Sequence, residues 1–252
     1  MSIFALKMIA LILMVIDHVG MYFVGIPEPL RILMRLIGRG CYPLFLFCMV
    51  WGYHHTRSRK KYLIRLYALS LFMTAFILTI DYFFPTENGI GNHNIFLSMF
   101  IVGVLISVIK LFQKNRKKGF MALGLIFGVQ ILYQVIPMFI PMLKQLSGDS
   151  LTGIIPNLYL NEYGWEFIVL GVLMYFLKER KDLFTVMYII FCIAQFSTDF
   201  FTEGFPFQCF MIISLPLMLK YNNHKGHGMK YFFYIFYPAH VLLLFFLSNF
   251  IL

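Results

Sequence analysis

The segment LKMIALILMVIDHVGMYFVG (6–25) is apolar over twenty residues except for Lys7 and the adjacent pair Asp17 and His18. A helix of about 20 apolar residues spans the hydrocarbon core of a bilayer. An ionised side chain at the bilayer centre costs about 2.5–3.5 kcal/mol on insertion scales. The segment therefore predicts a membrane-spanning helix. The energetic cost of its polar pair indicates a role other than packing against lipid.

The composition of the whole chain extends this interpretation. Of 252 residues, 60% are hydrophobic, 19% are aromatic and only 13% are charged, and the mean hydropathy is +0.80. A soluble domain of this length could not bury so much apolar surface. We expect an all-α polytopic membrane protein that forms one transmembrane domain over residues 1–252 and contacts membrane lipid.

Long apolar segments predict about nine membrane-spanning helices. Two of them, 164–177 and 205–219, are short enough to be tilted or partly interfacial. The predicted segments are 6–25, 32–54, 62–84, 95–112, 120–143, 164–177, 183–200, 205–219 and 231–251.

Basic residues are concentrated in every second predicted loop. Four loops hold fourteen Lys and Arg residues, whereas the intervening loops are mostly acidic. Because basic loops stay in the cytoplasm, the pattern predicts a cytoplasmic N-terminus and an external C-terminus. Orientation thus explains the net charge of +10 without a nucleic-acid partner. The basic loops are 57–61, 113–118, 178–181 and 220–230.

Three arginines recur at four-residue intervals in LRILMRLIGRG (30–40). Each step turns a helix by 400°, so Arg31, Arg35 and Arg39 share a face and drift by about 40° per step. Arg31 can snorkel to the interface. Arg39 lies deeper, so it needs a carboxylate or an anionic ligand.

Asp17 and His18 point about 100° apart on a helix and do not face each other. Asp17 is therefore expected to pair with Arg35 or Arg39 and not to orient His18. A solitary His18 would then be available as a general base or as an acyl relay. Lys7 lies three turns earlier on the same face, about 16 Å away. A purely structural role for the pair stays open.

The segment WGYHHTRSRKKYLIRL (51–66) gathers Arg57, Lys61 and Arg65 at the predicted cytoplasmic end of two spans. An ordinary basic loop explains this cluster equally well. Guanidinium groups also grip phosphates in two-point geometry, so the alternative is an anion site for a phosphate-bearing cofactor.

Four further residues stand out in or next to predicted spans. Asn94 opens one span, where asparagine is a good helix cap. Glu162 and Tyr163 precede another span, where tyrosine is commonly an interface anchor. His240 lies inside the last apolar segment, far from any basic loop, which favours a functional role.

Two sets of segments resemble the TraX-type family, in order and over nearly the whole chain. The opening segments are LKMIALILMVIDHVG (6–20), LMRLIGRGCYPLFLF (33–47) and HTRSRKKYLIRL (55–66). The later segments are NHNIFLSMF (92–100), NEYGWEFIVLGVLMYF (161–176) and KYFFYIFYPAHVLLLFF (230–246).

The resemblance implies a multi-pass acetyltransferase of a bacterial-type plasma or inner membrane. The named family member N-acetylates the N-terminus of conjugative pilin, and broader relatives transfer acyl groups from cytoplasmic acyl-CoA to external acceptors. It implies acetyl-CoA as the acyl donor, no metal, and an acceptor that can be a peptide, a glycan or a small molecule. The implied catalytic residues are His18 and Asp17. The implied substrate-binding residues are Arg35, Arg39, Arg57, Lys61, Arg65, Asn94, Glu162, Tyr163 and His240.

Two other classes stay open on the residues alone. Intramembrane Asp, His and Arg suit a proton-coupled transporter or an export channel equally well, although no internal repeat supports one. An intramembrane peptidase would use Cys41 or Cys48 with a histidine, but no cysteine–histidine spacing favours it. All four cysteines lie in apolar runs and are interpreted as packing residues.

Overall fold

A computed structural model describes most of the chain. It covers residues 1–87, 89–91, 93–140, 148–202 and 205–251, without the side chains at 148–150, 199–202 and 230. Every regular element in these ranges is helical, which confirms the all-α prediction. The elements are α1 (Ile3–Tyr22), α2 (Glu28–Gly38), α3 (Cys41–His55), α4 (Arg59–Phe83), α5 (Ile95–Lys114), α6 (Arg116–Phe139), α7 (Gly148–Ile154), α8 (Gly164–Leu177), α9 (Lys181–Thr202), a 3-10 helix (Gln208–Ser214), α10 (Leu215–Leu219), α11 (Lys230–Phe246) and a π-helical turn (Leu247–Ile251).

Seven helical stretches in the described chain are long and apolar enough to cross a membrane. The two remaining predicted spans are the shorter helices Gly164–Leu177 and Gln208–Leu219, the same segments that are short in the sequence. A 14-residue α-helix is only about 21 Å long, less than the roughly 30 Å hydrocarbon core. Seven of the nine predicted spans thus meet the length of a membrane-crossing helix within the described residues, and two are shorter. Residues 141–143 of one predicted segment lie outside the described residues.

The outer surface of the helices is apolar. On α6 the side chains of Phe120, Leu125 and Phe139 are all exposed. Contiguous exposed apolar patches are rare on water-soluble monomers. Lipid tails solvate such side chains, so this surface fits a membrane protein.

Packing divides the chain into two compact units. The terminal unit comprises Met1–Gly52 and Phe176–Leu252, and the central unit comprises Tyr53–Tyr175. That residues 1–252 form a single domain stays a prediction.

In the terminal unit α1 packs chiefly against α2. The close crossing depends on Gly38, because a Cβ on this residue would lie 2.3 Å from the Cβ of Asp17. The packing at Gly20 is similarly tight, because a Cβ built on this residue would lie 3.1 Å from the Cβ of Met34. Because these two glycines have no side chain, α1 and α2 pack closely enough for the Asp17 side chain to contact α2.

The start of α1 is tied to the segment 220–230. The backbone N–H of Ile3 donates to the carbonyl of His224 at 2.9 Å, and that of Phe4 donates to Lys225 at 3.1 Å. The predicted topology places the N-terminus and this basic loop on the same side of the membrane. These contacts confirm that the two are on one side, while the identity of that side stays a prediction.

In the central unit α4 and α5 pack together, and α7 lies against α4. The contact with α7 is tight, because a Cβ on Gly153 would lie 1.7 Å from the hydroxyl oxygen of Thr74. This contact shields a polar stretch of α4 that includes Ser70, which is fully buried.

Candidate functional site

The carboxylate of Asp17 binds two arginines of the terminal unit. Arg35 donates from Nη1 to Oδ2 at 3.0 Å, and Arg39 donates from Nη2 to Oδ1 at 2.9 Å. Arg39 also donates from Nε to the Arg35 carbonyl at 3.3 Å, which fixes its guanidinium against α2. The predicted pairing of Asp17 is thus confirmed, with both arginines and not with only one.

This cluster of Asp17, Arg35 and Arg39 lies mostly out of solvent. The exposed fractions of the three side chains are 15%, 28% and 16%, respectively. Two guanidinium groups and one carboxylate leave one positive charge among the three groups. A partly buried positive charge favours binding of an anionic group.

His18 pairs with His240 of α11. The Nδ1 atom of His18 lies 2.8 Å from Nε2 of His240, and the two rings are parallel with centroids 4.9 Å apart. His240 is only 6% exposed. The expectation of a solitary His18 is therefore wrong, because a residue 222 positions later reaches its ring.

Helices α1 and α11 run parallel along this contact. The amino group of Lys7 lies 5.3 Å from the ring centre of Phe233, two turns before His240 on α11. His18 follows Lys7 by three turns on α1. An alternating topology with an odd number of spans requires the first and last spans to be parallel, and these contacts agree.

In the central unit, Arg59, Arg65 and Lys110 form a basic cluster in which each cation lies against a tyrosine ring. Arg59 lies 5.6 Å from the ring centre of Tyr53, and Arg65 lies 5.6 Å from that of Tyr62. Tyr53 and Tyr62 pack edge to face, with centroids 6.1 Å apart. Cation–π contacts of this kind hold a positive group in place without neutralising it.

A third cation belongs to the same cluster. Lys110 of α5 lies 4.8 Å from the ring centre of Tyr175, which itself packs against Tyr53. Within the described chain, none of Arg59, Arg65 and Lys110 forms an ion pair. The Nε atom of Arg65 is buried and has no hydrogen-bond partner among the described residues. The cluster therefore presents uncompensated positive charge.

The sequence prediction covered this cluster only in part. Arg57 and Lys61 are exposed, and neither makes a cation–π contact in the described chain. Arg65 joins the ring cluster, whereas Arg59 and Lys110 were missed. Lys110 lies at the end of an apolar run next to a basic loop, which is the one signal that could have identified it.

Asn94 and Glu162 contact each other in the central unit. The backbone N–H of Asn94 donates to Oε2 of Glu162 at 2.6 Å. A carboxylate at the first residues of α5 satisfies an N–H group and favours the helix dipole. Glu162 thus caps the helix, a structural contribution that sequence reasoning assigned to Asn94.

The side chain of Asn94 points instead into α4. Its amide donates to the Ser70 carbonyl at 3.2 Å and lies 3.1 Å from the Ser70 hydroxyl. Its Oδ1 atom is buried with no hydrogen-bond partner in the described chain. The ring of Tyr163 packs edge to face on Phe167.

No group of three or more His, Cys, Asp or Glu side chains in the described ranges is arranged to hold a metal ion. The thiol of Cys48, one of the two peptidase candidates, is buried and lies 3.9 Å from the carbonyl of Ile3. Nothing in this contact resembles an activated nucleophile.

Seven helical stretches long enough to cross a membrane, with the Asp17 cluster and His240 mostly out of solvent, define a helical membrane protein with ionisable groups in its interior. The chain belongs to the TraX protein family, which it matches over residues 2–248. It is similar to the probable fimbrial assembly protein FimC, serogroup H1, of Dichelobacter nodosus. The two are 24% identical over 261 residues, covering 96% of this chain and 94% of the relative. No solved structure matches the chain significantly.

Proposed function

We propose that the protein is an integral-membrane acetyltransferase that moves an acetyl group from acetyl-CoA to an amine or hydroxyl acceptor. The observation that carries the proposal is the hydrogen-bonded pair of His18 and His240, with His18 next in sequence to the Asp17 carboxylate and its two arginines. A buried imidazole held by a second side chain is a suitable general base. The membership in the TraX family supports the same activity.

In this proposal His18 accepts the proton of the acceptor as its nitrogen or oxygen attacks the thioester carbonyl. The carbon–sulfur bond breaks, and the proton then passes from His18 to the departing thiolate. The products are the acetylated acceptor and CoA. Arg35 and Arg39 bind an anionic part of the donor or acceptor, while Asp17 holds the two guanidinium groups in position.

The cation cluster on the tyrosine rings suits the phosphates of acetyl-CoA. Arg65 has a buried N–H group with no partner in the described chain, and Arg59 and Lys110 carry uncompensated charge. Arg57 and Lys61 are exposed and add to the attraction at longer range. Acetyl-CoA supplies the activated acetyl group, and these residues would bind its phosphates.

The acceptor is proposed to be pilus-associated. The relative from Dichelobacter nodosus is named a probable fimbrial assembly protein, which favours the N-terminal amine of a pilin subunit over a glycan or small molecule. Asn94, Glu162 and Tyr163 are proposed to contact the acceptor. This assignment rests on the family resemblance. We also propose a plasma or inner membrane location with the N-terminus in the cytoplasm.

The decisive experiment is acetyl-CoA binding and acetyl transfer by the purified protein in detergent. Micromolar binding is expected in the wild type and in His18→Ala, with binding weakened at least tenfold in Arg39→Ala. His18→Ala should lower transfer by about 10²–10⁴-fold, the usual contribution of a general base.

The matched control is Arg31→Ala, one arginine earlier on the same face of α2 and without an ion pair in the described chain. It should bind acetyl-CoA like the wild type. Retained transfer in a folded His18→Ala protein would exclude His18 as the base. No binding to the folded wild type would instead favour a proton-coupled transporter.

A further inference from the structure

We propose that His240 is a positioning residue that fixes the tautomer of His18, so that the lone pair of His18 lies on Nε2. This inference deepens the proposed function, because it names the basic atom and the residue that selects it. The resemblance to the TraX family implied only substrate binding for His240.

The hydrogen-bond chain begins at the backbone of α11. The Nδ1 atom of His240 lies 3.0 Å from the carbonyl oxygen of Phe236, one turn earlier on the same helix. A carbonyl oxygen only accepts hydrogen bonds, so Nδ1 of His240 carries the proton. The ring of Phe236 also stacks on His240, with centroids 5.3 Å apart, which holds this rotamer.

The ring of His240 is then neutral. Its side chain is 94% removed from solvent, and no carboxylate in the described chain is paired with it. The carboxylate of Asp17, the residue before His18, is bound by two arginines. Since an unpaired buried charge is costly, His240 holds one proton, on Nδ1, and its Nε2 atom is an acceptor.

An acceptor at Nε2 of His240 requires a donor at 2.8 Å, and the atom there is Nδ1 of His18. His18 therefore carries its proton on Nδ1 and its lone pair on Nε2. Without this contact a neutral imidazole populates both tautomers, and only one of them is basic at Nε2. His240 thus occupies the place that an aspartate takes beside the histidine of a serine hydrolase.

The expected effect on catalysis is smaller than that of an aspartate. A neutral acceptor selects the tautomer but gives little stabilisation to the imidazolium that forms during the reaction. Removing an aspartate partner costs about 10⁴-fold in kcat, so removing His240 should cost less, about 10–100-fold. The KM for acetyl-CoA should stay within about twofold, because His240 acts through His18 and not on the donor.

The test is ¹⁵N NMR of histidine-labelled full-length protein in lipid nanodiscs, with the His18 signals assigned from their loss in His18→Ala. The variants are His240→Leu, which removes the acceptor, and His240→Gln, which keeps a carbonyl acceptor. His227→Leu removes an exposed imidazole of the same unit and serves as the control.

His18 should be protonated at Nδ1 in the wild type, in His240→Gln and in the control, and should populate both tautomers in His240→Leu. A wild-type His18 protonated at Nε2 would overturn the proposal, as would an unchanged tautomer in His240→Leu. If His240→Leu does not fold, the wild type and His240→Gln still decide the matter.

Acetyl transfer by the same variants separates this proposal from the proposed function. His240→Leu should lower kcat, and His240→Gln should restore most of it. A His18 that carries the expected proton on Nδ1 in a protein that transfers no acetyl group would refute the enzyme and leave the tautomer assignment standing.

Discussion

Gly38 lies so close to Asp17 that a Cβ built on it would be 2.3 Å from the Asp17 Cβ and 2.6 Å from Oδ1. The carboxylate reaches Arg35 and Arg39 only because α2 has no side chain at this point. The charge cluster therefore depends on a residue that carries no functional group.

Gly38→Ala should displace Asp17 or separate α1 from α2. Overpacking of this kind typically costs about 1–3 kcal/mol, and we expect a lower melting temperature together with lower transfer. The control is Gly124→Ala on α6, where a Cβ would meet nothing within 4 Å. There an alanine should leave stability unchanged or raise it, since glycine within a helix costs roughly 0.5–1 kcal/mol. Equal effects of the two substitutions would contradict the close-approach argument.

Asp17→Asn should be strongly destabilising. It leaves two guanidinium groups without their anion, and breaking a buried ion pair costs roughly 3–5 kcal/mol. Adding Arg39→Gln to Asp17→Asn should recover part of the loss, because it removes one uncompensated charge. A double-mutant cycle on the melting temperature in detergent measures this coupling. Additive effects of the two changes would show that the ion pair contributes nothing to stability.

The tyrosine-bound cations should determine the affinity for acetyl-CoA. Replacing Arg59 and Lys110 by glutamine should raise the KM for acetyl-CoA and weaken its dependence on salt, while kcat changes little. The control replaces Lys117 and Lys118, which are exposed in the first turn of α6, with the same loss of charge. If both pairs raise KM equally, the attraction is a general surface effect and the cluster on Tyr53 and Tyr175 is not a binding site.

Two tyrosines of the terminal unit should respond oppositely to loss of the hydroxyl. Tyr188 has its hydroxyl at 2.9 Å from the Met211 carbonyl and 2.7 Å from the Ser214 hydroxyl, whereas the hydroxyl of Tyr221 is buried without a partner in the described chain. Burial, and secondarily the Cys48 thiol, raises the pKa of Tyr221 to about 12, so its phenol stays neutral at physiological pH.

Tyr188→Phe should therefore destabilise the protein by about 1 kcal/mol, because it removes the buried hydrogen bonds of the phenol with the Met211 carbonyl and the Ser214 hydroxyl. Tyr221→Phe should leave the melting temperature unchanged or higher, since a buried hydroxyl without a partner only adds a desolvation cost. Thermal unfolding of both variants in one detergent checks this order. A larger loss in Tyr221→Phe would mean that a bound water or ligand satisfies that hydroxyl.

The all-α class and the pairing of Asp17 could be predicted from the sequence, because an apolar membrane segment and a charge inside it each have few possible structures. An ionised group in an apolar helix needs an opposite charge, and the regular spacing of Arg35 and Arg39 on the next helix supplies two. The basic loops similarly require the N-terminus and the segment 220–230 to share a side.

The partner of His18 could not be predicted in the same way. An imidazole pairs with many groups, and nothing in the spacing of α11 shows which of its faces meets α1. The contribution of Glu162 to α5 was missed for a related reason, since asparagine is the more usual residue at a helix start but here donates to α4. Contacts that depend on tertiary packing leave no periodic signal.

The two imidazoles of the pair lie 222 residues apart in the chain, so His18 is synthesised long before His240. The contact between the two chain segments of the terminal unit thus forms only after the whole central unit and α11 have been synthesised. A chain that stops short of α11 lacks the imidazole that contacts His18, so the pair forms only in a chain synthesised at least as far as His240.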